Sequence, residues 1–257
     1  MATVNGILGK KVGMTQLFDD KGDVRPVTVL QAGPCVITQK KSANKDGYDA
    51  VQIGLVEFVK GKNVTEPMKG HFAKHNLPPV KFMKEVGVVV DGKDGQKKAE
   101  AAEGEQPAEG SLKVGDKVLV DIFQDEKYVD ISGTSKGRGF AGVVRRHHFQ
   151  GGPAAHGHMF QVQGSIGASS FPSRVFPNQR MSGHMGDAAV TVRNLKIRGI
   201  DLDENLLFVE GAVPGHKGAY VVINRAKRPP RERRGFAGST TIDPLKAAKK
   251  AAAGKKK

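Results

Sequence analysis

Disulfides and tryptophan contribute nothing to this fold. The chain has one cysteine and no tryptophan in 257 residues, and aromatic residues make up only 6% of it. A single cysteine excludes an internal disulfide and fits a reducing compartment. We expect Cys35 to be a buried hydrophobic residue, since no neighbouring feature would lower its pKa and make it a reactive thiol. Hydrophobic residues make up 38%, so a core can form and must be mostly aliphatic.

Long apolar runs are missing as well. No stretch reaches the roughly 18 consecutive apolar residues that a transmembrane helix needs. The first residues, MATVNGILGKKVGM, have no apolar centre of signal-peptide length. The sequence therefore predicts a soluble, cytoplasmic protein with no membrane partner.

Positive charge is concentrated in two segments. The chain has 41 Lys and Arg against 26 Asp and Glu, which gives a net charge of +15. Residues 132–187 carry +5 and residues 225–257 carry +10, so the rest of the chain is neutral in sum. A neutral body with two cationic segments is typical of a protein that presents charge to a polyanion at two places.

Short runs rich in Val, Ile and Thr, each closed by turn residues, predict a mainly β body. The turns Asp20-Lys21-Gly22-Asp23 and Ala32-Gly33-Pro34 supply the backbone angles that tight connections need. Strands this close in sequence pair as antiparallel hairpins, so residues 4–58 are predicted to form the first half of a barrel or sandwich. The predicted strands are 27–30, 35–38, 50–55, 86–90, 118–122, 128–131, 190–192, 206–209 and 219–223.

Two further segments depart from the β pattern. Apolar residues at helical spacing predict a short helix within 66–84, ended by Pro78-Pro79. Residues 91–110 are polar and rich in Ala and Glu, which predicts a flexible insertion. We therefore divide the chain into a barrel body, residues 1–224, with a small α-containing insertion, and a basic, flexible tail, residues 225–257.

The segment 132–187 is a long loop between predicted strands. It is rich in glycine, contains five of the eight histidines and shows no helical or strand periodicity. A structureless stretch of this length inside a compact body is usually functional. Because strands flank it on both sides, we interpret it as an excursion from one closed body. Its positive charge, its glycines and its stacking side chains suit a folded RNA.

RNA contacts are assigned to cationic, aromatic, histidine and polar side chains of this loop and to the first basic residues of the tail. Backbone N–H groups in the Gly-rich start of the loop are further donors to phosphate. The predicted RNA-binding residues are Lys136, Arg138, Phe140, Arg145, Arg146, His147, His148, Phe149, His156, His158, Gln161, Ser165, Arg174, Arg180, His184, Arg225, Lys227, Arg228, Arg231, Arg233 and Arg234.

Some of the same residues also suit other functions. Four loop histidines between residues 147 and 158 could hold a metal or could be exposed without a task, but no Cys or carboxylate stands among them. Residues 133–139 suggest a phosphate-binding loop but lack the GxxxxGK[ST] spacing. The lysine-rich tail could serve as a solubilising end rather than a contact to nucleic acid. We expect no metal, no cofactor and no catalytic residue.

Several short motifs in the loop and at both ends of the body form a recognisable set. They are Gly-Arg-Gly-Phe-Ala-Gly (137–142), Arg145-Arg146-His147, Gly151-Gly152-Pro153, His156-Gly157, Gly164-Ser165-Ile166-Gly167, Met181-Ser182-Gly183-His184-Met185-Gly186, Gly9-Lys10-Lys11-Val12-Gly13-Met14-Thr15 and Val209-Glu210-Gly211-Ala212-Val213-Pro214-Gly215. Taken together they resemble the universal large-ribosomal-subunit protein three, in its bacterial form. The resemblance covers nearly all of the chain except 91–110 and the tail beyond about Arg225.

The resemblance implies a six-stranded, translation-type β-barrel whose long loop threads into ribosomal RNA toward the peptidyl-transferase centre. It implies a primary binder near the 3′ end of the large-subunit (23S-type) rRNA that is needed early in assembly. It also implies contacts with large-subunit proteins fourteen and nineteen, and no homo-oligomer. Some bacterial members carry a methylated Gln where this chain has Ala168, so that modification is not expected. The competing class is an enzyme, because related barrels hold flavin or form domains of GTPases.

Overall fold

Two antiparallel sheets share one aliphatic core. The structure, a computed structural model, describes residues 2–57, 59–90, 112–155, 157 and 159–230. The predicted flexible insertion and the tail from residue 231 onward lie outside the described residues.

The described strands and helices follow the β-rich sequence pattern. The strands are β1 (Ala2–Val4), β2 (Gly6–Phe18), β3 (Val24–Ala32), β4 (Cys35–Lys41), β5 (Ala50–Leu55), β6 (Phe82–Val90), β7 (Lys117–Val118), β8 (Tyr128–Thr134), β9 (Phe140–Ala141), β10 (Gly183–His184), β11 (Ala189–Asp201), β12 (Leu206–Glu210) and β13 (Tyr220–Arg225). The helices are α1 (Ala43–Asp46), α2 (Glu66–Ala73) and α3 (Val143–His147), with 3-10 turns at Gly61–Asn63, Val120–Phe123 and Met159–Gln161.

Six strands close into a barrel in the order β11-β12-β3-β2-β13-β8. Strand β13 completes the closure because it pairs with β2 on one side and β8 on the other. Ile223 lies opposite Ile7 and Ile131 in these two ladders, and all three side chains are fully buried. Burial alternates along β8, β12 and β13, so one face of these strands lies inside the barrel. The predicted six-stranded barrel is confirmed.

A second sheet has the order β1-β6-β5-β4-β7. It contains both 35–38 and 50–55, so the expectation that all strands before residue 58 form half of one barrel or sandwich is corrected. The chain leaves the barrel after β3 at Gly33, whose φ of +94° suits glycine. A Cβ there would lie 3.0 Å from Cδ1 of Ile7, which shows how closely this turn packs on β2. The turn at Gly33 thus places β3 in the barrel and β4 in the second sheet.

The predicted strand 118–122 is wrong in its second half. Strand β7 ends at Val118, and Val120–Phe123 form a 3-10 turn. A strand would bury Val118, Val120 and Ile122 on one face. The turn instead buries Val120 and Phe123, both fully inaccessible, and leaves Ile122 partly exposed. Packing of the large Phe123 ring overrides the alternating apolar pattern.

Two local predictions are confirmed. Helix α2 lies within the predicted range and turns the buried ring of Phe72 toward the interior. Cys35 is fully buried, and its Sγ donates a hydrogen bond to the Leu8 carbonyl at 3.4 Å. Burial raises the pKa of its thiol to about 12, so the reactive thiolate does not form near neutral pH.

The long loop leaves and re-enters the barrel at one ladder position. Thr134, the last residue of β8, lies opposite Ala189, the first residue of β11. The irregular segment is therefore 135–188, because residues 132–134 belong to β8. It also contains α3 and the paired strands β9 and β10, which the sequence did not indicate. Segments of two to five residues are too short to show a periodicity.

Lys11 is a buried cation that fixes the connector between β12 and β13 to β2. Its side chain donates hydrogen bonds to the carbonyls of Val213 (2.7 Å) and Gly215 (3.3 Å). Its own carbonyl accepts a bond from the amide of Gly218 at 2.7 Å. Burial, and secondly the charge of Lys136, lowers the pKa of Lys11. The partly buried ammonium is tolerated because these two carbonyl oxygens accept hydrogen bonds from it.

Replacing Lys11 with Met keeps the apolar stem and removes these donors. The buried carbonyls of Val213 and Gly215 then lack a partner, so we expect the free energy of unfolding to fall by about 1–3 kcal/mol. Lys196→Met, at an exposed position of β11, is the matched control. Urea unfolding followed by circular dichroism measures both variants. Equal midpoints for the two would contradict the assigned role of Lys11.

Excision of the loop tests whether it contributes to the core. The two ends already meet, since the amide of Ser135 donates to the carbonyl of Ala188 at 2.9 Å. Of the described residues between 132 and 194, none belongs to the main core cluster. Closure entropy depends only weakly on loop length, so joining these two residues through an Asn-Gly turn should leave the β content by circular dichroism intact. A collapse of that signal would show that the loop is needed for folding.

Candidate nucleic-acid interface

A short two-stranded stalk extends the barrel into the loop. Beyond Ser135 and Ala188, the amide of Arg138 donates to the carbonyl of Met185 at 2.8 Å, and the amide of Met185 donates to the carbonyl of Gly139 at 2.9 Å. The ladder of β9 and β10 continues the pairing. The loop therefore leaves the barrel as an ordered ribbon.

Gly186 allows the two sides of this stalk to touch. Its φ is +77°, in the region that favours glycine. A Cβ on Gly186 would collide with the carbonyl oxygen of Lys136 and would lie 2.9 Å from Cα of Gly137. Any other residue would push the two chains apart and move the cationic residues that they carry.

Helix α3 is attached to the opposite side of the loop by two side chains. The Arg146 guanidinium donates to the carbonyl of Met181 at 2.7 Å, and Nε2 of His147 lies 3.1 Å from the same oxygen. Because that oxygen only accepts, Nε2 of His147 must carry the hydrogen. Gly183 leaves room for the guanidinium, since a Cβ there would be 2.9 Å from its Nη1. Arg146 and His147 thus hold the loop together, whereas Arg145 points to solvent.

Three of the predicted RNA-binding residues meet around one cavity. Phe140, Arg145 and Gln161 line a pocket of about 470 Å³, together with Ala141, Gly142 and Val144. The Phe140 ring is 78% exposed although it is large and apolar. An exposed ring, a guanidinium and an amide around one concavity are the groups that stack on a base, bind a phosphate and read a base edge.

The distal part of the loop is held by local contacts. The Gln163 amide donates to the carbonyl of Arg180 at 2.9 Å and ties the two sides together. The Ser165 hydroxyl donates to the carbonyl of Gly167 at 3.0 Å within a turn. The Arg174 guanidinium lies 5.7 Å from the centroid of the Phe176 ring. This distance allows a cation–π attraction between the two exposed side chains.

The remaining predicted residues that the structure describes are half-buried or exposed. Phe149 is half-buried, with its ring centroid 6.3 Å from that of His147. His156, His158, Arg231, Arg233 and Arg234 lie outside the described residues. The exposed ones are Lys136, Arg138, His148, Arg180, His184, Lys227 and Arg228.

Arg225 belongs to the barrel. It is the last residue of β13, and its guanidinium donates to the carbonyl of Ile122 at 3.2 Å and lies 3.5 Å from the Glu126 carboxylate. The predicted tail boundary at residue 225 thus falls inside the last strand. The described residues up to Lys227 form one compact unit.

The charged groups of the loop and of the body are arranged differently. In the body, Arg25 pairs with Asp19 at 2.9 Å, Lys41 with Glu85 at 2.8 Å, and Arg198 bridges Asp19 and Glu210. Within the part of the chain that the structure describes, the loop's basic side chains have no carboxylate partner. The loop presents its charge unneutralised.

Two aromatic residues at the loop surface were missed by the sequence analysis. Phe171 is 87% exposed and Phe176 is 57% exposed. Both precede a proline in a stretch without apolar periodicity. The absence of an apolar pattern around them was the only feature of the sequence that indicated exposed rings. They extend the set of exposed rings along the loop.

The alternative of a metal site finds no support in the described chain. No group of three or more His, Cys, Asp or Glu side chains comes together among these residues, although His156 and His158 are not part of them. In the same part of the chain, the helices are too short and too polar to cross a membrane.

Comparison with known proteins supports the resemblance. The profile of the family described as Ribosomal protein L3 matches residues 109–205. A protein of Koribacter versatilis named Large ribosomal subunit protein uL3 is 64% identical over 253 residues, which cover 98% of this chain and 100% of that relative.

Two more distant relatives have the same name. The protein of Solibacter usitatus is 51% identical over 224 residues, covering 87% of this chain and 99% of that relative. The protein of Herpetosiphon aurantiacus is 47% identical over 228 residues, covering 88% and 98%. The resemblance carried by the loop motifs is confirmed, and the chain belongs to the ribosomal protein L3 family.

Proposed function

We propose that this chain, a structural constituent of the large ribosomal subunit, binds the large-subunit rRNA mainly through the loop 135–188. In this proposal it is a primary binder near the 3′ end of that RNA, acts early in subunit assembly and extends its loop toward the peptidyl-transferase centre. It works in the cytoplasm as part of the ribosome. Family membership supports the coarse assignment and replaces the competing interpretation as a flavin or nucleotide enzyme.

One observation carries the RNA-binding part of the proposal. Several cations of the body are held in ion pairs, whereas the described basic residues of the loop have no carboxylate partner. Unpaired guanidinium and ammonium groups on an ordered ribbon are available to phosphates, and phosphate contacts supply most of the affinity for RNA.

The cavity at Phe140 supports recognition beyond charge. Phosphate contacts by themselves position a protein without reading the RNA. Phe140 offers an exposed face on which an unpaired base can stack, and the Gln161 amide can donate to and accept from that base. We assign Arg145, at the rim, to the adjoining phosphate.

The tail and the protein neighbours complete the proposal. The lysines of the Ala/Lys portion, residues 247–257, add electrostatic affinity with little sequence preference, because lysine is a flexible point charge. The arginines between Arg228 and Arg234 are the better candidates for fixed contacts, since the planar guanidinium binds phosphate in a defined geometry. Large-subunit proteins fourteen and nineteen are the proposed neighbours, and the chain acts as a single copy. The β2–β3 hairpin suits a protein contact, since Met14, Phe18 and Val24 are all more than half exposed.

Arg145→Ala tests this function most sharply. It removes a solvent-facing charge from the cavity rim without breaking the contacts of Arg146. We expect weaker binding to an in vitro transcript of the 3′-terminal domain of large-subunit rRNA. The slope of log affinity against log salt concentration should fall by about 0.7–0.9, because the variant neutralises one phosphate fewer than the wild type.

The matched control is Arg25→Ala. It also removes one arginine charge, but from a side chain already paired with Asp19 at 2.9 Å and Asp23 at 3.3 Å. Its salt slope should match that of the wild type. Identical salt slopes for the two variants would show that Arg145 does not contact a phosphate. Failure of the wild type to bind the transcript would overturn the proposed function.

A further inference from the structure

A second basic concavity lies at the foot of the loop, between the barrel and the second sheet. It is a groove of about 830 Å³. Its walls come from β2, the start of β6, the end of β8, the beginning of the loop and β13, so residues far apart in sequence meet there. Its basic lining residues are Lys10, Lys81, Lys84, Lys136 and His216.

The groove has a clear excess of positive charge. Lys10 pairs with Glu57 at 3.1 Å. Lys81, Lys84 and Lys136 have no ion-pair partner among the described residues. Asp187 is the one acidic residue of the described lining. Three unpaired ammonium groups face one groove, which is unfavourable for a protein alone and favourable once an anion enters.

The floor of the groove is fixed by contacts within the protein. The Tyr220 hydroxyl donates to Glu57 at 2.6 Å, and the Tyr220 ring stacks on Phe82 with centroids 4.8 Å apart and planes at 14°. The hydrogen bond from Tyr220 lowers the pKa of Glu57, so its carboxylate stays ionised and keeps Lys10 in place. The Lys81 ammonium lies 5.9 Å from the centroid of the same ring. A fixed floor means that little ordering is needed on binding.

We propose that this groove binds consecutive phosphates of an RNA backbone, separately from the cavity at Phe140. The inference rests on the proposed function and adds a second contact surface to it, on the body of the protein. Lysines from separate segments suit a polymer with repeated charges, because each is a mobile point charge without the directional fork of arginine. Contacts of this kind position the protein and carry no sequence information.

Lys136 connects the two surfaces. It lines the groove and precedes Arg138 of the stalk by two residues. An RNA strand that contacts the stalk can therefore continue along the groove floor toward Lys81 and Lys84 without leaving positive potential. The body would then fix the direction in which the loop enters the RNA.

The test is the double variant Lys81→Glu/Lys84→Glu. Its control is Lys21→Glu/Lys60→Glu, which makes the same change in net charge at exposed positions outside the groove. The probe is the in vitro transcript of the 3′-terminal domain of large-subunit rRNA, titrated at several salt concentrations. We expect the groove variant to bind at least about tenfold more weakly than the control. Its salt slope should be lower by about 1.4–1.8, which corresponds to two phosphate contacts.

Three results would overturn the inference, and they are distinguishable. Equal affinities and slopes for the two double variants, with wild-type binding intact and still sensitive to Arg145→Ala, would reject the groove and leave the loop assignment standing. Unchanged RNA binding by the groove variant, combined with its absence from purified large subunits, would mean that an acidic protein surface occupies the groove. A wild-type protein that does not bind the transcript would remove this inference together with the proposed function.

Discussion

Pairing of β8 with both β11 and β13 is the interaction on which the rest of the structure depends. It closes the barrel, and it sets Thr134 opposite Ala189, so that both ends of the loop leave from one ladder position. The loop can therefore be long without leaving the barrel open. The loop is ordered by its own hydrogen bonds, at the stalk and at the carbonyl of Met181. The main core cluster is formed mostly by the two sheets and contains no described residue of the loop.

Because the loop is not needed for the core, it can carry an excess of positive charge. In the body, partly exposed ion pairs such as Arg25–Asp19 contribute little to stability, because solvent screens them. Outside the loop and the tail, acidic and basic residues balance in number, so the net positive charge of the chain lies on those two segments. In the free protein, solvent and salt screen the exposed charges of the loop. When RNA binds, its phosphates contact them and release counterions.

Local pattern and charge predicted the β-rich body, the loop and the chemical class of its partner, and the family resemblance implied the six-stranded barrel. Antiparallel pairing of strands close in sequence was also predicted, and β2–β3 and β4–β5 show it. The division of these strands between two sheets was not predicted. The change of sheet at Gly33 depends on close packing against Ile7, and the 3-10 turn at Val120 depends on the Phe123 ring. Both are contacts between segments that a run of residues does not reveal.

The direction of the loop side chains could not be predicted from the sequence either. Arg145 and Arg146 look equivalent in the sequence, but one faces solvent and the other donates to the Met181 carbonyl 35 residues away. The groove was missed for the same reason, since Lys10, Lys84 and Lys136 share no motif. Such residues can be grouped only after the strands have been paired.

Ultraviolet cross-linking of purified large subunits that contain this chain shows whether the loop is its main contact with rRNA. Mass spectrometry of the RNA-linked peptides identifies the protein segments that touch rRNA. We expect the cross-linked peptides to concentrate in residues 135–188, with the peptide that carries Phe140 among them, because its exposed ring stacks on a base. Cross-links confined to the body, with none in the loop, would contradict the proposed role of the loop.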